Sequence, residues 1–240
     1  LLFFIYSSDL QIKDLRNNLL NDLISNYYFG LFFTTFCLLV LINGANFIDG
    51  LDGLNLGYFF LIIIIIMILG NSSVLNFDEK KLMTIFYIIS FLFLLNVFNY
   101  LYLGDSGSYL IGFIFGIFLI ELSYDNYFLS PYFIALLLWY PAFENLFSII
   151  RKRVIKKDPL QPDNAHLHQL LFSFFKKNGN NFTKKFSNSF SSSLIILYNL
   201  VIFLIGSNFV NHTKILFLLL LINIVIYLTV YFVLKKIKYN

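Results

Sequence analysis

The chain has 240 residues, of which 59% are hydrophobic, 20% are aromatic and only 12% are charged. Soluble domains carry about 25% charged residues, so this composition excludes an ordinary soluble protein and predicts an integral membrane protein. The single cysteine, Cys37, lies in an apolar run and excludes a disulfide within the chain.

The apolar runs predict an all-α fold, a polytopic transmembrane helical bundle with about seven full spans, each near the ~17–25 residues that a bilayer requires. In chain order, the spans are predicted at Tyr27–Ile42, Leu54–Leu69, Leu82–Val97, Tyr109–Leu122, Phe133–Ile150, Phe190–Gly206 and Ile215–Leu234. Residues 1–240 are treated as one membrane-embedded domain, with 151–189 as a basic cytoplasmic loop. Because Leu1–Tyr6 looks like the end of a further span, we expect an N-terminal part of the domain to precede it.

The basic residues indicate which ends of the spans face the cytoplasm. Counting crossings places residues 43–57, 98–108 and 151–189 and the C-terminal tail on one side, together with 12 of the 17 Lys and Arg residues. Cytoplasmic loops are enriched in Lys and Arg. We therefore expect every polar cluster to face the cytoplasm, where nucleotide substrates are found.

The first polar cluster, residues 43–57, lies between two apolar runs and holds the carboxylates Asp49 and Asp52 with the amides Asn43 and Asn46. Its glycines allow sharp bends and a close approach to a ligand. Polar groups that are costly to bury between membrane spans indicate a functional site. A polar turn between two membrane helices is the alternative.

The second cluster runs from Tyr102 to Ser108 and contains Gly-Asp-Ser-Gly just before a predicted span. A turn here would expose the Asp105 carboxylate and, beside Ser106, free backbone N–H groups. The N–H groups and the helix dipole suit an anion, whereas the carboxylate suits a hard cation such as Mg²⁺. An ordinary turn would also account for these residues.

The third cluster, in the basic loop, places His166 and His168 two residues apart behind Asp163. His-x-His also occurs in zinc sites, but Cys partners and a third nearby His are missing from the sequence. We favour phosphate recognition by these histidines and by bases such as Arg151, although the basic run also suits a membrane anchor. Glu144, inside the fifth span, is either a site residue or a helix-end partner for Arg151.

Carboxylates, phosphate donors and a basic rim at the mouth of a membrane bundle suit phosphoryl transfer between a nucleotide-linked donor and a lipid acceptor. Mg²⁺ would neutralise the pyrophosphate while the protein positions it, with Mn²⁺ as an alternative ion. A transporter is a further hypothesis, although transporters place such acids near the bilayer midplane. The basic run lacks interleaved aromatics, so no nucleic-acid partner is expected.

The three motifs resemble those of the polyprenyl-phosphate N-acetylhexosamine-1-phosphate transferase superfamily (glycosyltransferase family 4), which includes the phospho-N-acetylmuramoyl-pentapeptide transferase. Residues 43–54 resemble its Asn-x-x-Asn-x-x-Asp-Gly-x-Asp-Gly-Leu motif, residues 103–108 its Met-Gly-Asp-x-Gly-Ser motif and residues 162–168 its Pro-Asp-x-x-His-x-His-His motif. The resemblance implies an Mg²⁺-dependent phosphotransferase that moves a sugar-1-phosphate from a UDP-sugar to undecaprenyl phosphate and releases UMP. Such an enzyme initiates a cell-surface polysaccharide or glycan at the bacterial inner (plasma) membrane.

The resemblance also implies roles for individual residues. Asp105 resembles the Mg²⁺ ligand, and Asn46 lies where the family places a residue close to the metal. Asp49 and Asp52 resemble the acids that hold the nucleotide sugar, and Tyr102 resembles an aromatic that stacks on uracil. The expected catalytic residues are Asp49, Asp52, Asp105, His166 and His168, and the expected substrate-binding residues are Asn43, Asn46, Tyr102, Ser106, Glu144, Arg151 and Asp163.

Three departures from the family pattern bear on the details. Gln169 replaces a third His, and Glu144 stands where Asp is usual. The upstream Asp-Asp pair of the family has only Ser8–Asp9 as a counterpart. Because one span separates Asp9 from Asn43, Asp9 is predicted to lie on the side opposite the cytoplasm. We therefore expect the pair to precede residue 1 and this chain alone to be inactive. The His-x-His spacing resembles the N-acetylhexosamine branch. The pentapeptide transferase and an inactive paralogue stay as alternatives, and a homodimer is left open.

Overall fold

The computed structural model describes residues 1–71, 75–154, 156, 165–178 and 183–239. Within these residues the chain is all-helical, which confirms the predicted fold class. The helices are α1 Leu2–Ser8, α2 Asn18–Ile24, α3 Tyr27–Ile48, α4 Leu54–Asn71, α5 Glu79–Val97, α6 Gly104–Asp125, α7 Pro131–Val154, α8 Leu167–Asn178, α9 Lys184–Ser207 and α10 Thr213–Tyr239.

In the described part of the chain, the helices long and apolar enough to cross a membrane number five, or six if the bent helix α7 is one span. These are α3, α5, α6, α9 and α10, with α7 as the sixth, and they make this a multi-pass membrane protein. The predicted count of about seven differs because Leu54–Gly70 of α4 is a shorter apolar helix. All seven predicted segments are nevertheless helical.

Helix α4 forms the centre of the bundle. Tyr58, Phe59, Ile62 and Ile66 on it have no exposed surface, and a helix that is apolar on all sides is one that packs inside a protein. Helices α5 and α9 pack directly against α4, while α6 and α7 pack against α3. The close α3–α6 contact depends on Gly112, where a Cβ would lie 2.9 Å from the Cα of Ile42.

Helix α7 bends by 73° between its parts Pro131–Leu137 and Trp139–Val154. Pro141 lacks the backbone N–H that would bond to the carbonyl of Leu137, four residues earlier, which is an established cause of helix bending. The hydroxyl of Tyr58 donates to that carbonyl at 2.8 Å. The bend is therefore stabilised by the central helix.

Segments predicted to lie on one side of the membrane meet in the structure. At the end opposite the motifs, the backbone N–H of Ser130 donates to the Val210 carbonyl at 2.8 Å. The backbone N–H of Asn76 donates to Asn126 Oδ1 at 2.6 Å. Loops after α4, α6 and α9 therefore share one end of the bundle, as the crossing parity requires.

Three predicted loops are partly helical. Helix α3 continues through Asn43 and Asn46 to Ile48, and α6 already begins at Gly104. The loop predicted at 151–189 contains the end of α7, all of α8 and the start of α9. The prediction of a loop was wrong for α8 because the density of basic residues hid an amphipathic helix.

Candidate active site

The first motif occupies the end of α3 and the turn that leads into α4. Asn43 and Asn46 lie on the last turns of α3, and Asp49 is the residue that follows the helix. Gly53 has a φ of +78°, a left-handed conformation that glycine adopts without strain. Its N–H donates to Asn96 Oδ1 at 2.6 Å, so α5 holds this turn in place.

Asn46 joins the first motif to the second. Its amide nitrogen donates to Asp105 Oδ1 at 2.9 Å and to Ser108 Oγ at 3.0 Å. Asp105 is exposed in the first turn of α6. The two residues for which the family pattern implies a metal are therefore in direct contact, although they lie 59 positions apart in the sequence.

Asp52 is held by residues that the motifs did not indicate. Asn188 Nδ2 on α9 donates to Asp52 Oδ2 at 2.9 Å, and the backbone N–H of Asp52 donates to Asn188 Oδ1 at 3.0 Å. When the Asn99 amide is oriented with its nitrogen toward Asp52, that nitrogen donates to Asp52 Oδ2 at 3.1 Å. The amide oxygen then accepts from Lys185 Nζ at 3.3 Å. These contacts fix both the backbone and the carboxylate of Asp52.

Asp49 has an unusual protonation equilibrium. Burial is the largest cause, and the negative charges of Asp105 and then Asp52 add to it; together they raise the pKa of Asp49 from 3.8 to about 7. A carboxyl group with such a pKa exchanges its proton near neutral pH, as a general acid or base must. Asp105 and Asp52 therefore lie close enough to Asp49 to disfavour its ionised form.

The third motif reaches the same place through α8. His168 is fully buried, and its Nε2 lies so close to Gly50 that a methyl group on Gly50 would collide with it. Its ring stacks on that of His166 with centroids 5.7 Å apart, and the His166 ring lies 5.1 Å from that of Phe47. Both histidines are thus packed against the turn that carries Asp49 and Asp52.

Burial also governs the protonation of His168. Desolvation lowers its pKa to about 4, against the opposing charge of Glu144 and with a further lowering by His166. Among the described residues, neither ring nitrogen of His168 has a hydrogen-bond partner. This ring is therefore neutral at physiological pH.

The remaining predicted residues are distributed between the surface and the interior. Tyr102 is 75% exposed, and Ser106 is exposed beside Asp105. Asn43 donates to the Leu39 carbonyl at 2.8 Å. Arg151 is buried and donates to Tyr231 Oη at 2.9 Å, to Ser148 Oγ at 3.2 Å and to the Ala165 carbonyl.

Glu144 is 1% exposed and bonds to His166 and Leu167 at the start of α8. In the structure both of its oxygens are used inside the protein, so it supports the site from behind instead of lining it. Asp163 lies outside the described residues.

Asp9 lies far from these groups. It pairs with Lys13 at 3.7 Å, and the backbone N–H of Gln11 donates to Tyr124 Oη at 2.9 Å. Tyr124 is 19 residues beyond Asp105 on α6, about 28 Å along a helix. The structure thus agrees with the parity argument that Asp9 is on the opposite side.

Comparison with known proteins identifies the family. Residues 1–123, more than half of the chain, match Glycosyl transferase family 4. The chain belongs to this family. The first two motifs lie inside the matched residues, whereas His166 and His168 of the third motif lie beyond them.

Named relatives agree with this family 4 assignment. The chain is 34% identical over 140 residues to the "Probable undecaprenyl-phosphate N-acetylglucosaminyl 1-phosphate transferase" of Bacillus subtilis (strain 168), covering 55% of this chain and 37% of the relative. It is 32% identical over 130 residues to the "Undecaprenyl-phosphate alpha-N-acetylglucosaminyl 1-phosphate transferase" of Thermotoga maritima, covering 54% and 39%. It is 30% identical over 152 residues to the "Decaprenyl-phosphate N-acetylglucosaminephosphotransferase" of Mycolicibacterium smegmatis, covering 55% and 37%. The match thus spans less than two fifths of each relative, and no solved structure gives a significant match.

Proposed function

We propose that this family 4 chain is part of an enzyme that transfers an N-acetylhexosamine-1-phosphate group from a UDP-sugar to undecaprenyl phosphate and releases UMP. The observation that carries the proposal is the convergence of three polar segments at one end of the bundle. Asn46 contacts Asp105, and His168 packs on Gly50 between Asp49 and Asp52. The names of the relatives favour a hexosamine-phosphate donor and a polyprenyl-phosphate acceptor.

In this reaction an oxygen of the lipid phosphate attacks the sugar-bound phosphorus of the donor, and the bond from that phosphorus to the UMP oxygen breaks. Enzymes of this chemistry act mainly by positioning and by electrostatic stabilisation. The free backbone N–H groups in the first turn of α6 can face phosphate oxygens. Asp52, held rigidly by Asn188, is suited to orient the donor, and Asp49 can hold or release a proton near neutral pH.

Mg²⁺ fits the chemistry of the donor set around Asp105. The described residues contain no group of three or more His, Cys, Asp or Glu side chains arranged to hold a metal. Mg²⁺, however, is commonly bound by one or two carboxylates together with substrate phosphates and water. Asp105 and Asn46 would hold the ion, which would neutralise charge on the pyrophosphate. A cation there would also offset the repulsion among Asp105, Asp49 and Asp52.

We place this site at the cytoplasmic face of the bacterial inner membrane. The end of the bundle that carries it also carries the basic last turn of α7 and Lys184 and Lys185 at the start of α9. Basic residues are enriched on the cytoplasmic side. UDP-sugars would therefore reach the site directly.

A donor panel tests the proposal. Membranes containing the full-length protein, with undecaprenyl phosphate and Mg²⁺, are given UDP-N-acetylhexosamines or UDP-muramoyl-pentapeptide, and labelled lipid product is extracted. We expect labelled lipid with an N-acetylhexosamine donor only. Product from the pentapeptide donor would assign the chain to the other branch, and no product from any donor would refute the proposed transfer.

A further inference from the structure

Glu144 is a buried carboxylate on the part of α7 beyond the bend, and it is 1% exposed. An acid in such a position is costly unless its oxygens are bonded. Glu144 Oε2 lies 2.9 Å from His166 Nδ1, and Oε1 accepts the backbone N–H of Leu167 at 2.9 Å. Both oxygens therefore bond to residues at the start of α8.

The bond to Leu167 connects α8 to α7. The first N–H groups of a helix have no partner within that helix, and α8 begins at Leu167. Glu144 supplies an acceptor from another helix, and its negative charge suits the positive end of the α8 dipole. Leu170, whose N–H donates to the His166 carbonyl at 3.0 Å, completes the first turn.

The bond to His166 determines which ring nitrogen carries the proton. A carboxylate accepts hydrogen bonds, so Nδ1 of His166 must be the donor. In a neutral ring, Nε2 then carries the lone pair. The same ring stacks on His168 and lies against Phe47, two residues before Asp49. The His166 ring whose tautomer Glu144 determines therefore lies next to the predicted active site.

We propose that Glu144 is a positioning residue: it sets the Nδ1–H tautomer of His166 and holds the first turn of α8 so that His168 stays packed on the turn containing Gly50. Glu144 acts through these neighbours and does not contact the substrate. The link to turnover rests on the proposed function, because it requires the His motif to belong to the active site. The tautomer and the α7–α8 connection do not depend on it.

The test uses full-length protein in lipid bilayers, labelled with ¹⁵N-histidine and studied by solid-state NMR. The sequence contains three histidines, so single substitutions assign their signals. We expect His166 to be protonated at Nδ1 in the wild type and in Glu144→Asp. In Glu144→Gln the single acceptor oxygen stays with the Leu167 N–H and the amide NH₂ donates to Nδ1, so the Nδ1–H signal should be lost. Glu121→Gln, on α6 at the Lys81 ion pair, is the matched control and should leave the signal unchanged.

Transfer assays provide the second measurement. We expect kcat to fall about 100-fold in Glu144→Gln, as for other losses of alignment at a reacting centre, with a smaller loss in Glu144→Asp and an unchanged KM for the UDP-sugar. A wild-type His166 that lacks a proton on Nδ1 would overturn the proposal without any variant, even if Glu144→Gln fails to fold. Retention of the Nδ1–H signal in Glu144→Gln would overturn it as well. If the wild type transfers nothing but shows the Nδ1–H signal, and Glu144→Gln loses that signal, the proposed function fails and the tautomer assignment stands.

Discussion

Removing the charge of Asp49 should stabilise the protein, and more so at high pH. The folded protein holds the proton of this carboxyl up to about pH 7, because burial and the charges of Asp105 and Asp52 disfavour its ionised form. The unfolded chain ionises from about pH 4 upward. For an acid with a raised folded pKa, stability is therefore lost as the pH rises from about 4 to about 7 and stays low above that range.

The size of the effect follows from the same values. The difference between 3.8 and about 7 corresponds to an upper bound of about 4 kcal/mol. Solvent reaches part of the carboxyl, and screening reduces the expected effect to about 2 kcal/mol. For a chain of this length, that change moves the unfolding midpoint by about 4–8 °C.

The assay is thermal unfolding of the detergent-solubilised protein. We expect Asp49→Asn to raise Tm by about 4–8 °C near pH 8.5 and by about a third as much near pH 5. In an Asp105→Asn background the gain should shrink, because one repelling charge is already absent. An equal gain at both pH values would refute the electrostatic reasoning, and an unchanged gain in the Asp105→Asn background would exclude Asp105 as a cause.

Further predictions concern the packing and protonation of His168, the contact of Asn188 with Asp52, and the topology. Gly50→Ala should destabilise the fold by about 1–3 kcal/mol through collision with His168, and a His168→Ala substitution should relieve it; additive effects in unfolding experiments would contradict the contact. Because burial lowers the pKa of His168 to about 4, the wild type should lose up to about 3 kcal/mol of stability as the pH falls from about 6.5 to about 4; acid unfolding that is identical in His168→Gln would exclude this cause. Asn188→Ala should raise KM for the UDP-sugar about 10-fold because Asp52 loses its bonds to Asn188. Unchanged transfer kinetics would contradict a role for Asn188 in holding Asp52. A reporter fused after the last residue should be active in the cytoplasm, and periplasmic activity would overturn the topology.

The motifs could be located from the sequence because their polar groups interrupt apolar runs. Asn46, Asp49 and Asp105 are costly in a bilayer, so their presence needed an explanation. Crossing parity also predicts that they lie on the same side of the membrane, whereas the contact between Asn46 and Asp105 is seen only in the structure. Their order and spacing added a family pattern that composition alone does not contain.

The residues that support the site could not be found in this way. Asn188 and Asn99 are two among many asparagines, and only the packing of α9 against α4 brings Asn188 to Asp52. The sequence does not show that both oxygens of Glu144 bond at the start of α8. Helix α8 did leave a signal, since apolar side chains recur at helical spacing at Leu167, Leu170, Leu171 and Phe174.

The most direct test of the proposed transfer is UMP release by full-length wild type and Asp105→Asn, compared at matched protein levels in membranes. The assay contains UDP-N-acetylhexosamine and undecaprenyl phosphate, with Mg²⁺ or with chelator. Asp105 is exposed, so the substitution should leave the fold intact. We expect UMP release by the wild type that requires both Mg²⁺ and the lipid phosphate, and none by folded Asp105→Asn. Normal turnover in Asp105→Asn, or the same release with chelator, would contradict it.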